Sequence, residues 1–589
     1  QQYSLAKELD PLDPTPYLYD GILKQTLNRP VEAVRDLEGS IERNDNRAVY
    51  RSRLLLDKDR AARGTSLARA YRDLGFTQLG INESSKSLSI DPSNASAHRF
   101  LSDTYRGVRR REIARVSELL QAQLLQDINI NPIQPSVSEA NLNIVTIGGP
   151  TAPGFNEFTP LFEQNTAKLD LTGFGGNNDT YGGEGVVTAL YDRFSFSAGG
   201  FYYNSDGFRT NNDLNQHIYN VYAQAAITPE LNVQAEYRRR DSEEGDLAFN
   251  FDPDDFLPDK TVERDQDTVR FGLRYSPWPS ANVLFSYIHG DRDEAINQTE
   301  PLDDLFTLVS DNKVNDEGDQ FEGQYLYQGD GFNLVAGLAY SDGDREFDNF
   351  FSLTAISIPL QVEFAESFKA KIKHPHGYFY TNITFPGPIT WTIGVSYDDY
   401  EEEPLEVNSF NPKLGVQWNL SDDFRLRAAV FKTLKPALVN NRTIEPTQVA
   451  GFNQFFDDIN ATESWRYGGG FDWRLSRELS LGGELTWRNL TEPVFTALED
   501  GTEVAEFEQR DEYLHSLYLY FTPIDRLAIR AEFIYDRYKS EKGIVTDLAN
   551  LPEEVETISV PIGVSYFDPS GLFAGIGGTF VDQDVRRSE

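Results

Sequence analysis

Residues 411–435 read NPKLGVQWNLSDDFRLRAAVFKTLK, and their alternation decides the fold. Leu414, Val416, Trp418 and Leu420 share one face of an extended chain, with Lys413, Gly415, Gln417 and Asn419 on the other. After Ser421, Asp422 and Asp423 the pattern resumes: Phe424, Leu426, Ala428 and Val430 alternate with Arg425, Arg427 and Ala429. A period of two is the signature of a pleated strand with one apolar and one polar face. Two such runs joined by three polar residues make a hairpin.

The same period recurs from about residue 165 onward, in LNVQAEY (231–237), VRFGLRY (269–275), WTIGVSY (391–397) and LSLGGELTW (479–487). Tyr or Trp closes each apolar face, as an aromatic girdle at a lipid headgroup layer requires. Short turns are expected at Asp192, Pro229, Pro277 with Trp278, Gly329 with Asp330, Pro386 with Gly387, Asp422 with Asp423, Arg477, Pro523 and Pro569. Longer, mostly acidic loops are expected near 204–215, 242–265, 290–317, 341–370, 398–408, 436–461, 488–508 and 539–551. Regular short and long alternation is the mark of an outer-membrane barrel, with short periplasmic turns and long extracellular loops. The turn count predicts nineteen strands. Bacterial single-chain barrels have even numbers, so the chain is expected to be a piece truncated at both ends, an expectation that Gln1 in place of a starting methionine shares.

Composition agrees with a barrel. Hydrophobic residues are only 39% of the 589, too few for a bundle of spanning helices, yet aromatics reach 13%. Cysteine is absent, which removes disulfides and thiol chemistry. The formal charge of −39 repels phosphate backbones and argues against nucleic acid. That charge is uneven: residues 1–120 are net positive, with 20 Lys+Arg against 17 Asp+Glu, and the acidic excess lies beyond them.

The first 120 residues carry a different period. Ala68 and Ser102 are 34 apart, preceded by Leu67 and Leu101 and followed by Tyr71 and Tyr105. PYLYDGILKQTLNRPVEAVRDLEGSI (16–41) repeats the scheme through Tyr17, Gly21, Ala33, Leu37 and Ser40. RAVYRSRLLLDKDRAARG (47–64) reads as an insertion. Small residues at this spacing let paired helices approach closely, and the segment resembles tetratricopeptide repeats. That resemblance implies a binding scaffold, with Arg47, Arg51, Arg53, Arg109, Arg110 and Arg111 as candidate contacts to a periplasmic partner; solvated helix faces are the simpler reading.

The hairpin at 411–435 resembles the barrel of TonB-dependent receptors. Pro412, Lys413 and Gly415 open the strand, Leu426 and Arg427 lie on its partner, and Lys432, Lys435 and Pro436 follow. The resemblance implies 22 strands in the full protein. Such receptors carry a plug domain inside the barrel, and no plug-like sequence precedes the first strand here. The linker INPIQPSVSEANLNIVTIGGPTAPGFNEFTPLFEQN (130–165) could enter the barrel mouth, or another chain could fill the lumen.

The expected organisation is therefore helical plus transmembrane β: residues 1–120 as periplasmic repeats, 121–164 as linker and 165–589 as an outer-membrane barrel meeting lipid and lipopolysaccharide. Arg270, Arg274, Arg425 and Arg427 are expected on the lumen wall, guiding an anionic solute or, in the preferred reading, bracing against acids such as Glu236 and Glu532. Clustered carboxylates near 243–259, including Asp252, Asp254 and Asp255, could take Ca²⁺, but without a defined loop spacing they read as solvated acids. In KIKHPHGY (371–378), His374 and His376 share a strand face without an indicated third ligand, so no resident metal or cofactor is expected. None of the six histidines lies in a nucleophile or zinc motif, and no enzyme activity is expected. Function is read as an outer-membrane transport conduit or receptor, with a polymer exporter and a structural anchor as alternatives.

Overall fold

The structure, a computed structural model, describes residues 1–49, 52–105, 108, 110–129, 162, 164–247, 256–301, 306–355, 361–497, 503–540 and 552–587. Among these, seven helices come first: α1 (Gln2–Leu9), α2 (Pro14–Thr26), α3 (Pro30–Glu42), α4 (Arg53–Asp73), α5 (Thr77–Ile90), α6 (Ala95–Tyr105) and α7 (Glu112–Leu125). The strands follow as β1 (Thr166–Gly175), β2 (Tyr181–Tyr191), β3 (Phe194–Ser205), β4 (Leu214–Ala226), β5 (Leu231–Glu244), β6 (Thr261–Trp278) and β7 (Ala281–Pro301). Next are β8 (Phe306–Gln328), β9 (Phe332–Ala355), β10 (Gln361–Thr384), β11 (Ile389–Glu402), β12 (Leu405–Ser421) and β13 (Phe424–Leu434). A two-residue pair, β14 (Gln448–Val449) and β15 (Phe452–Asn453), interrupts the series. It closes with β16 (Glu463–Arg474), β17 (Leu479–Ala497), β18 (Glu503–Ile524), β19 (Leu527–Ser540), β20 (Pro552–Phe567) and β21 (Phe573–Arg587).

Nineteen of these strands form one antiparallel sheet in which each strand pairs with its neighbours in the chain, β13 pairing with β16 across the small β14–β15 hairpin. The alternation read in 411–435 is realised residue by residue. Leu414 and Trp418 are exposed on the outside, whereas Lys413, Gln417, Arg425 and Arg427 are buried on the inside. All six tryptophans lie exposed on the outer surface. An apolar exterior around a polar interior inverts the arrangement of a water-soluble domain and fits a surrounding of lipid.

Two turn positions shift. Pro277 and Trp278 end β6 and the turn follows at 279–280, while Pro523 lies inside β18. Both prolines sit where the ladder register breaks, between Tyr275 and Trp278 and between Phe521 and Ile524. A proline cannot donate to a ladder, so it is tolerated in a bulge just before the turn. Most of the loops expected at 290–317 and 341–370 are strand: β7, β8, β9 and β10 run for 21, 23, 24 and 24 residues. A barrel strand crosses a bilayer in about 9–11 residues. The remainder carries polar and charged residues on both faces, which erases the alternation without ending the hydrogen-bonded ladder.

The helices form antiparallel hairpins. Leu67, Ala68, Tyr71, Leu101, Ser102 and Tyr105, the residues of the 34-residue period, are all buried. Gly80 lets α5 approach α4 closely, since a Cβ there would sit 3.1 Å from the carbonyl oxygen of Ala68. Gly75, at φ +80°, supplies the left-handed residue that ends α4. Part of the expected insertion at 47–64 is the first half of α4, a helix of 21 residues.

The helical hairpins do not stand apart from the barrel. Leu18, Ile22, Leu37, Leu67, Leu74 and Phe76 share one apolar core with Tyr518, Tyr520, Ala528 and Phe567 of the inner wall. Leu120, Leu124 and Leu125 of α7 pack with Leu284, Ile288, Leu326 and Val335. The helices meet the short-turn end: Asn28 donates to the carbonyls of Asp568 and Leu572 at 2.9 Å, Lys58 donates to that of Pro279, and Arg35 pairs with Asp525. Much of the inner wall is thus covered by the chain's own first 125 residues, where no plug was legible.

From the long-loop end, residues 435–462 fold inward. Ile444, Val449, Ala450, Phe452, Phe455 and Phe456 are buried, several of them against α7 and the wall. This overturns the expectation of an external loop at 436–461; its apolar residues find a dry surface only inside. Limited trypsin digestion of the folded chain is expected to spare the bond after Arg442, which lies buried in this segment. Cleavage there under native conditions would show that the segment is not packed.

Candidate functional site

The packed part of the interior is built from paired charges. Arg270 on β6 is fully buried and meets Glu236 on β5 at 2.9 Å. Glu236 also accepts from Asn220 at 2.7 Å and faces Arg442 of the inward segment at 3.7 Å. Arg274 donates to the carbonyl of Leu125 and to Asp127, so its cation lies at the C-terminus of α7, where the helix dipole favours it. Arg425 meets Asp472 at 2.8 Å, and Arg427 reaches Asp472 and Glu484 at 3.4 Å. These four wall arginines therefore face carboxylates or carbonyls of this chain. Glu532 instead accepts from Tyr520 at 2.7 Å.

Where helices, inward segment and wall converge, Phe456 sits among four guanidinium groups. Arg488, Arg111, Arg466 and Arg110 lie 3.7, 4.3, 5.0 and 5.7 Å from its ring centre. A desolvated guanidinium over an aromatic face is attractive by about 2 kcal/mol. Glu512 balances the cluster at 2.7 Å from both Arg110 and Arg488, and Asp458 pairs with the same two arginines. Burial works against the Asp458 carboxylate, but Arg488 and Arg110 outweigh it and hold its pKa below the usual value. Burial pushes the nearby Lys435 ammonium down to about 8. Sequence reasoning missed this latch. Three phenylalanines in a supposedly solvated loop (Phe452, Phe455, Phe456) were the available signal.

Arg110 and Arg111, expected as partner contacts, belong to this interior cluster. Both face Phe456, and Arg110 also pairs with Asp458 and Glu512; Arg111 is buried, whereas Arg110 keeps part of its side chain exposed. Arg47 lies half-buried in the short turn at 44–49. Arg51, Arg109 and the side chain of Arg53 fall outside the described residues, as do Asp252, Asp254 and Asp255. Asp246, from the same acidic stretch, is buried with Arg209 at 3.5 Å and Lys260 at 3.8 Å. His374 and His376 face inward on β10, beside Asp398 of β11.

Above this packed layer, at the long-loop end, a cavity of about 480 Å³ remains. Its floor is α7 (Glu112, Arg115, Val116, Leu119) and residues 437–442, and its walls are β5 to β10. Arg115, Arg238, Arg240, Arg264, Arg292, Arg345 and Arg442 line it, against Glu112, Glu294, Asp316, Glu317, Asp342 and Asp344. Arg264 holds Glu294 at 2.5 Å, and Asp316 accepts from Arg345 at 2.5 Å and Arg292 at 2.9 Å. In a chain of net −39, a lining with one more cation than anions is a local reversal of charge. Such a basin presents planar donors to carboxylate or phosphate groups.

Residues 239–491, a little under half of the chain, match the family described as TonB dependent receptor-like, beta-barrel. This part of the sheet is therefore similar to the barrel of TonB-dependent receptors. The copper transporter OprC shares the fold at a TM-score of 0.50 and 10% identity, over 69% of this chain and 65% of that one. The siderophore receptor PiuA from Acinetobacter baumannii aligns at 0.49 and 9% identity, over 72% and 75%. The FpvAI–pyocin S2 complex aligns at 0.48 and 12%, over 72% and 66%. The chain thus spans about two thirds of the length of FpvAI and OprC. No curated protein sequence matches it.

Two outcomes test the packed lumen. Arg270→Ala leaves the Glu236 carboxylate buried beside only Arg442 and Asn220, and is expected to cost about 3–5 kcal/mol of unfolding free energy. The double variant Arg270→Met with Glu236→Gln is expected to recover much of that, both read by urea unfolding in detergent. The second concerns His98, whose two ring nitrogens face Glu118 at 2.5 Å and the carbonyl of Pro92 at 2.9 Å. Burial lowers its pKa, but the Glu118 charge outweighs that and raises it above 6.5. The contribution is then complete below about pH 6.5 and lost as pH rises through the folded-state value. The helices should melt at lower temperature at pH 9 than at pH 6, a difference His98→Gln should diminish.

Proposed function

We propose that the chain is an outer-membrane receptor of the TonB-dependent type, in which helical hairpins take the place of a plug. Its cavity at the long-loop end receives an anionic solute from outside, and passage stays closed until the helices move. The observation that carries this reading is the filled lumen. Helices enter from the short-turn end, residues 435–462 enter from the other, and the Arg-rich cavity is left above them. The family match over 239–491 supports the barrel type. Helical hairpins with a 34-residue period support tetratricopeptide-like repeats, and their α1–α3 end, at the short-turn rim, is the surface on which a periplasmic partner would act. Arg47 lies near that end. An exporter of a polymer would need a continuous path, which this packing does not favour.

Planar-bilayer recordings distinguish the readings. The wild-type chain is expected to hold no steady conductance, and a steady ohmic pore would replace the receptor with a polymer conduit. Citrate, as a probe anion, is expected to bind at low salt and to weaken at least tenfold in the double variant Arg264→Gln with Arg292→Gln. Absence of anion binding together with absence of conductance would leave a structural anchor as the better account.

A further inference from the structure

Immediately below the cavity, β10 turns two imidazoles inward. Its inward-facing residues are buried in order: Ile372, His374, His376, Tyr378 and Tyr380, of which Ile372 still lines the cavity. Asp398 on β11 stands directly opposite His376 in the ladder. Asp398 Oδ1 lies 3.0 Å from His374 Nε2 and 2.6 Å from His376 Nδ1. The three ligand-type atoms all fall within 4.8 Å of one another, and all three side chains are nearly devoid of solvent.

What surrounds the trio sets it apart from a chance contact. Asp398 Oδ2 is held by Asn411 Nδ2 at 2.6 Å and by Ser396 Oγ at 3.4 Å, which leaves Oδ1 turned toward the imidazoles. His376 Nε2 faces Glu445 Oε2 at 2.9 Å, fixing the ring so that Nδ1 points at Asp398. Glu445 is in turn held by Tyr380 and by Thr443 Oγ1, the latter at 3.0 Å from its amide. A carboxylate behind a ligating imidazole, and donors behind a ligating carboxylate, form the outer shell that orients metal ligands.

We propose that His374 Nε2, His376 Nδ1 and Asp398 Oδ1 bind one divalent first-row transition cation, such as Zn²⁺. The cation ties the inward segment to the barrel wall through Glu445. Imidazole and carboxylate donors without thiolate suit Zn²⁺, Cu²⁺, Ni²⁺ or Fe²⁺. Ligands at about 2.0–2.2 Å in a tetrahedron are about 3.3 Å apart. The pairs to Asp398, at 3.0 and 2.6 Å, need to open by about 0.3 and 0.7 Å, while the two imidazole nitrogens already lie within 4.8 Å of each other. Binding displaces the proton that each imidazole nitrogen shares with Asp398, and the cation's charge replaces it. The site is separate from the cavity above it: it lies under the floor, enclosed by wall and inward segment, and does not depend on the transport reading.

The test uses the full chain in detergent, stripped with a chelator and titrated with ZnCl₂ by calorimetry. One tightly bound zinc per chain is expected, weakened at least 100-fold in His374→Gln and in Asp398→Asn. Glu445→Gln is expected to weaken it about 10–100-fold while keeping the stoichiometry, as loss of an outer-shell partner does. Heat-modifiable gel mobility reports whether each variant keeps its barrel. Where a variant fails to fold, Co²⁺ added to the wild type is expected to give the intense visible bands of a four-coordinate site. A spectrum like that of hydrated Co²⁺, no stoichiometric zinc, or zinc binding equal in wild type and variants would overturn the proposal. The trio would then be a hydrogen-bonded brace, with any zinc held by exposed acids.

Discussion

Filling a polar-walled barrel with protein imposes one constraint above the rest: every charge on the wall must find its opposite once water is excluded. Phe456 and its four arginines show how it is met. The guanidinium groups come from the helical segment (Arg110, Arg111) and from the wall (Arg466, Arg488), the ring comes from the inward segment, and Asp458, Glu484 and Glu512 balance the charge. Removing Arg488 would leave the buried Asp458 and Glu512 with only the partly exposed Arg110 of the two arginines they share, a cost larger than losing a surface pair. Helices, inward segment and wall are therefore coupled through electrostatics as well as through shared apolar cores.

The same constraint explains the wall arginines. An arginine on a wet lumen face needs no fixed partner, but Arg270 is sealed beneath the helices and meets Glu236 on the neighbouring strand. Arg274, nearer the helix end, meets the last carbonyls of α7 instead. The cavity above the helices is where packing stops and charge of one sign slightly exceeds the other. Arginines there are held by acids on adjacent strands, as Asp316 holds Arg292 and Arg345, which keeps their planar forks oriented while leaving space between them.

Much of the barrel was legible along the chain. The outward and inward faces of β12 and β13, the nineteen strands and most short turns follow from period-two alternation and turn residues alone, because each strand touches lipid on one side and polar surface on the other. Loop lengths were not legible. The outer parts of β7 to β10 carry polar residues on both faces, and a strand there has no pattern that separates it from a loop. The 34-residue helical period was readable too, since small residues must recur where helices touch. Its destination was not, because the residues that bury the helices in the lumen (Leu18, Phe76, Leu120) look like those of any helical scaffold.

The site divides the same way. Periodicity placed His374 and His376 on one face and Arg270 and Arg425 on the inner wall, since facing direction is a local property of a strand. Asp398, Glu445 and Glu236 became their partners only through ladder register and through the inward fold of residues 435–462, which join positions 22 to 69 residues apart in the histidine cluster. Sequence by itself determined which side chains point inward, because the pleat alternates residue by residue. Only the tertiary structure decided what they meet, because pairing across strands and the filling of the lumen depend on contacts that no local pattern encodes.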